Sequence, residues 1–107
     1  MQKANDIDIA KNIRIIEWLK SELLMEAASL FKVLAKGGKV SQATISDILA
    51  SIITVCYLLG KRLGINYVII DEKIRRKIRL GILEDHEIEK TYGDLKALKN
   101  HFDTNRS

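Results

Sequence analysis

The chain of 107 residues contains no proline and only six glycines. Nothing therefore forces an abrupt kink, and long stretches are free to remain helical. It has a single cysteine, Cys56. An internal disulfide is excluded, and the apolar neighbours of Cys56 point to an inert core thiol. The two histidines, His86 and His101, have no partner at metal-ligand spacing and read as surface residues. No CxxC, GxGxxG, P-loop or GxSxG elbow occurs, so thiolate-metal, dinucleotide and nucleophile-elbow chemistries lack support. There are no internal repeats. The opening segment MQKANDIDIAK carries no apolar run, so no secretory leader is expected. The apolar run from Ile48 to Gly60 falls short of the roughly 20 residues that cross a bilayer. A cytoplasmic location without membrane attachment is the expectation.

What is present is helical in pattern. Hydrophobic residues make up 47% of the chain, enough for a packed domain rather than a disordered segment. The length suits one domain, 1–107, with polar tails expected at 1–6 and 103–107. The net charge of +4 is mildly basic, compatible with a phosphate-bearing ligand without requiring one.

Four helices are expected. The first runs from Asp8 to Lys36, with Asn5 or Asp6 available as a cap, and stops at Gly37-Gly38. Its apolar stripe is Ile15, Leu19, Leu23, Leu30 and Val33, widened by Trp18, Phe31 and Leu34. Ser41 caps a second helix, Gln42 to Leu63, ended by Gly64. A third, Val68 to Leu80, carries Ile70, Ile74 and Ile78 on one side and Lys73, Arg75, Arg76, Lys77 and Arg79 on the others. After a break at Gly81, a fourth runs from Glu84 to His101, weakened in its middle by Gly93.

Two features of the long helices point to a site. The second helix is apolar nearly all round, the mark of a buried helix. It has one polar seam, Asp47, Ser51, Thr54, Lys61 and Arg62, which needs a partner: side chains, an interface or a ligand. On the first helix, Glu26 lies within the apolar stripe between Leu23 and Leu30, and Glu22 sits about 40° to one side at i−4. A carboxylate on a core-facing stripe is costly unless paired or bound to a cation. Glu26 thus either meets a Lys or Arg of another helix or interface, or ligates a metal ion.

One local stretch, LAKGGKVSQATISDIL, is similar to the turn of a helix-turn-helix unit. Its glycines are out of register, and the supposed recognition helix continues as an apolar rod, whereas groove-facing positions must stay polar. Nucleic acid is accordingly not the expected partner.

A broader resemblance runs from Asn12 to Leu95. The stretches NIRIIEWLKSELL, ASLFKVLAKGG, DILASIITVCYLLGKRLGINY, DEKIRRKIRLGI and EDHEIEKTYGDL resemble the MazG-like family, a small branch of the all-α nucleoside triphosphate pyrophosphohydrolases. The resemblance implies an all-α four-helix bundle with two long N-terminal helices, assembled as a homodimer or homotetramer. It also implies descent from enzymes that split NTPs into NMP and pyrophosphate with Mg²⁺. Catalytic members carry E-E-x-x-E on one helix and E-x-x-D on the next. Here the first pattern falls on Met25, Glu26 and Ser29 and the second on Ile48 and Ser51, so only Glu26 is retained. Glu22, one turn before Glu26, and Asp47, one residue before Ile48, are the acids that substitute.

The expected site is therefore Glu22, Glu26 and Asp47 as Mg²⁺ ligands. Ser51 and Thr54 line it, and Lys73 and Arg76 contact the phosphates of a nucleotide or related compound. The rival expectation is a protein of the same fold that has lost catalysis and serves as an oligomeric interaction or regulatory module. A more distant one is nucleic-acid binding through Arg75, Arg76, Lys77 and Arg79.

Overall fold

The structure, a computed structural model, describes residues 2–104, with side chains from Asp8 onward. Among the described residues it is all-helical. It comprises α1 (Gln2–Leu34), a 3₁₀ turn (Gly37–Lys39), α2 (Gln42–Arg62), α3 (Tyr67–Leu83), α4 (Glu87–Tyr92) and α5 (Asp94–Thr104). The chain divides into two compact units, Met1–Tyr67 and Val68–Ser107.

The first unit is an antiparallel pair of long helices. α1 begins at Gln2, so Asn5 and Asp6, expected as caps, fall inside it, as does most of the expected N-terminal tail. Its covered side chains, Ile15, Ile16, Leu19, Glu22, Leu23, Glu26, Ala27, Leu30 and Val33, recur at helical spacing. Among the described residues of this unit, Leu19 is the one large apolar side chain that is buried, at 2% exposure. α2 answers with Ile45, Ile48, Ile52, Val55 and Leu59. The helices are tied at one end by Asn12 and Arg62. The Asn12 amide donates to the Arg62 carbonyl at 3.0 Å, and the Arg62 guanidinium donates to the Asn12 side-chain oxygen at 3.3 Å.

The ends of α2 follow from local chemistry. Ser41 is the N-cap, its Oγ accepting the Thr44 amide at 3.2 Å. At the other end Ile65 N–H donates to Gly60 O at 2.8 Å and Gly64 N–H to Lys61 O at 3.1 Å, a Schellman closure. That closure requires a left-handed residue, and Gly64 stands at φ 87°. A Cβ there would find open space, so the cost of Gly64→Ala is purely conformational. We expect it to lower stability by about 1 kcal/mol, read as a fall of roughly 4–8 °C in melting temperature. An unchanged melting curve would show that this turn closes without a left-handed residue.

Three sequence expectations about burial are overturned in this unit. α2 is not buried: α1 covers one side only, while Leu49, Ile53 and Cys56 form an exposed line at i, i+4 and i+7. Cys56, expected in the core, is an exposed free thiol. Trp18, Phe31 and Leu34, expected to widen the α1 stripe, are likewise exposed. A continuous helix of 21 residues containing an 18-residue window of mean hydropathy 1.8, α2 is also long and apolar enough to cross a membrane by length and composition. Core helices of soluble proteins meet the same criterion.

The second unit has three helices where the sequence suggested two. α3 passes straight through Gly81 to Leu83. Gly81 is a point of close approach rather than a break: a Cβ there would lie 2.6 Å from the Leu95 Cδ1 of α5. α3 ends in another Schellman closure, with His86 N–H on Gly81 O at 2.9 Å and Asp85 taking the left-handed position at φ 55°. His86, on the surface as expected, also caps α4 by accepting the Ile88 amide on Nδ1 at 3.1 Å. The single helix expected from Glu84 to His101 is split at Gly93. The Glu89 carboxylate then accepts the amides of Leu95 and Lys96 at 2.9 and 3.2 Å, satisfying the start of α5. α5 runs on to Thr104, so Asp103 and Thr104, expected in a tail, are helical, while 105–107 lie outside the described residues. Ile78 of α3, 4% exposed, is the buried centre of this unit.

Candidate functional site

The rotation of α1 against α2 decides what the polar seam meets. Because the helices are antiparallel, Glu22 and Glu26 of α1 come opposite Ser51 and Thr54 of α2. With Ala50 and Val55 these line an open cleft of about 260 Å³. Glu22 and Glu26 are one turn apart on one helix face, a spacing that sets their Cβ atoms about 6 Å apart. Both are half-buried. Among the described residues neither carboxylate has an ion-pair or hydrogen-bond partner. The basic partner that could have neutralised Glu26 is thus not found within the first unit.

The cleft holds four of the expected residues together; the other three are not among its lining residues. Asp47 is exposed on α2 and does not line it. Among the described residues no three His, Cys, Asp or Glu side chains are grouped so as to hold a metal ion by themselves. Lys73 and Arg76 stand on α3 within the second unit, both exposed.

The lower half of the seam does something sequence reasoning missed. Lys61 and Arg62 line a neighbouring hollow of about 290 Å³ with Ile15, Trp18, Leu19, Leu58 and Tyr67. Lys61 Nζ stands 5.7 Å from the centre of the Tyr67 ring, which also meets Tyr57 edge to face at 5.8 Å. The aromatic residues at i and i−10 along the chain, Tyr67 and Tyr57, gave no period that would have joined them, because the Schellman turn at Gly64 brings them together.

A family model described as the MazG-like family matches residues 9–95. The chain belongs to the MazG-like family. The match spans α1 through the start of α5 and takes in both cleft-forming helices. It supports a nucleotide pyrophosphohydrolase-like fold for this MazG-like chain. No curated protein and no solved structure matches it.

The donor set of the cleft suits a hard cation. Two carboxylates and two hydroxyls offer oxygen only, and Mg²⁺ is commonly held by one or two carboxylates with water and substrate phosphates completing its shell. Two like charges a turn apart, half-withdrawn from water and uncompensated, favour any cation that enters.

Proposed function

We propose that this MazG-like protein binds a nucleoside triphosphate, or a related phosphate compound, in the cleft between α1 and α2 and hydrolyses it to the monophosphate and pyrophosphate. The observation that carries the reading is the pair of unpartnered, half-buried carboxylates Glu22 and Glu26 facing Ser51 and Thr54. Glu22 and Glu26 would hold Mg²⁺, with Asp47, one turn before Ser51, as the third acid. When bound, the ion would neutralise charge on the phosphates and activate the attacking water. The Ser51 and Thr54 hydroxyls can donate to phosphate oxygens or to water and so orient them. Lys73 and Arg76 of α3 are the proposed phosphate contacts. The protein is proposed to act in the cytoplasm as a homodimer or homotetramer.

A second reading has its own observation. The exposed apolar line on α2 and the thinned acid set both favour an oligomeric interaction module that no longer turns over nucleotide. One experiment separates the two. Mg²⁺ and Mn²⁺ are titrated calorimetrically with and without a non-hydrolysable NTP analogue, and pyrophosphate release is followed over a panel of NTPs. The enzyme reading expects metal-dependent nucleotide binding and release of pyrophosphate. No binding of metal or nucleotide would discard it in favour of the module.

A further inference from the structure

The second unit contains a basic groove that the proposed hydrolysis does not use. Between α3 and α5 a cavity of about 440 Å³ is lined by Arg79, Ile82, Leu83, Lys96, Lys99 and Asn100. Three cations and an amide thus surround an apolar floor, and no carboxylate is among the lining residues. Arg79 and Lys96 form no ion pair among the described residues. Among the described residues Asp103 holds Lys99 at 3.2 Å a turn further along α5. Glu89 is already committed to the first amides of α5.

An adjoining cavity of about 200 Å³ shares Arg79 and Lys99 and adds Arg75, Ile78, Phe102 and Asp103. There the Arg75 guanidinium lies over the Phe102 ring at 5.6 Å, and its Nε is withdrawn from solvent with no hydrogen-bond partner. A buried donor without an acceptor is a cost that an anion reaching the groove would remove.

We infer that this groove binds a small phosphorylated molecule with an apolar body, its phosphate held by Arg79, Lys96 and Lys99 and its body resting on Ile82 and Leu83. Facing cations raise one another's energy, and a phosphate accepting charge-assisted hydrogen bonds from several of them relieves that repulsion. The combined volume is that of a small-molecule pocket rather than of a track for a long polyanion. Leu83, 80% exposed, supplies apolar surface that otherwise faces water.

The test is an amide-resolved NMR titration of the full chain with phenyl phosphate and, separately, with inorganic phosphate. Saturable shifts are expected in residues 79–83 and 95–100, at several-fold lower concentration for phenyl phosphate. Arg79→Glu and Lys96→Glu should each weaken them about tenfold or more, while Arg79→Lys largely retains them. Glu26→Gln should leave them unchanged, which separates this groove from the cleft of the first unit. Shifts confined to residues 15–26 and 51–67 would overturn the inference. So would shifts unaffected by charge reversal, or perturbation of the same residues by protein concentration alone, which would mean that a second copy fills the groove. Response to single-stranded RNA but not to phenyl phosphate would replace a small ligand with nucleic acid.

Discussion

Glu26→Gln is expected to lower metal-dependent pyrophosphate release by about a hundredfold or more, while making the metal-free protein slightly more stable. Loss of a second-shell partner of a metal site already costs about 10–100-fold, and a direct carboxylate ligand carries the charge that offsets the dehydration of Mg²⁺. The opposite sign on stability follows from the geometry. Glu22 and Glu26 stand at i and i+4, half-buried and without a counter-ion within their unit. Removing one of two like charges at that spacing relieves about 0.2–0.5 kcal/mol of repulsion, and desolvation adds to the gain. Activity and stability are therefore expected to move in opposite directions, as they do where a site is held together against its own repulsion. Asp47→Asn, at an acid that does not line the cleft, should cost activity less than Glu26→Gln does, about 10–100-fold. The measurements are pyrophosphate release at saturating Mg²⁺ and thermal unfolding in chelator. Full turnover by Glu26→Gln would remove the cleft from the mechanism. Lost turnover accompanied by lost stability would make Glu26 a structural partner instead.

The second large effect concerns the uncovered side of the hairpin. Ile53 is 58% exposed in the middle of the Leu49, Ile53, Cys56 line, and Leu24 and Phe31 of α1, 73% and 72% exposed, lie a heptad apart on their own helix. Isolated exposed apolar residues need no explanation, but a continuous stripe on the most apolar helix of a chain does. A second copy offering the same stripe would bury it with the symmetry most homo-oligomers use. The native chain is expected to be a dimer or larger at tens of micromolar by light scattering. Ile53→Glu should weaken self-association about a hundredfold or more, because it sets an unpaired charge at the contact. Helix content by circular dichroism should remain, since Ile53 makes no part of the α1–α2 packing face. A native monomer at those concentrations would sink the dimer. Native chain that co-sediments with lipid vesicles, and loses this with Ile53→Glu, would assign the stripe to a bilayer, which the length and hydropathy of α2 permit.

Much of the helical framework was legible because it is written in short-range chemistry. Ser41 reaches an amide three residues on, and Gly64 supplies a left-handed turn that other residues take at a cost. Both signals act within one turn of backbone, so their meaning does not depend on what packs nearby. The core-facing stripe of α1 followed from helical periodicity in the same way, and the family could be read from ordered stretches along most of the chain. The limits show at Gly81 and Gly93, two glycines that look alike in sequence. One is absorbed into α3 because Leu95 of another helix approaches it, and the other ends α4. Local propensity cannot separate a glycine that terminates a helix from one that makes room for a neighbour.

The site divides along the same line. That Glu22 and Glu26 share a helix face is a matter of 100° per residue, and sequence alone determines it. Which residues of α2 they meet depends on how α2 is rotated and displaced against α1. That rotation is set by the interlocking of Ile45, Ile48, Ile52, Val55 and Leu59 with the α1 stripe. It brings Ser51 and Thr54 into the cleft and leaves Asp47 outside, although all three share one polar seam. It also leaves Cys56 in solvent, where apolar neighbours in the sequence implied a core. Sequence determined the two long N-terminal helices, the cap and turn that bound α2, and the acid-bearing face. Tertiary structure decided which groups face one another and which apolar surface stays uncovered, because burial belongs to the packing of elements and not to the composition of any one of them.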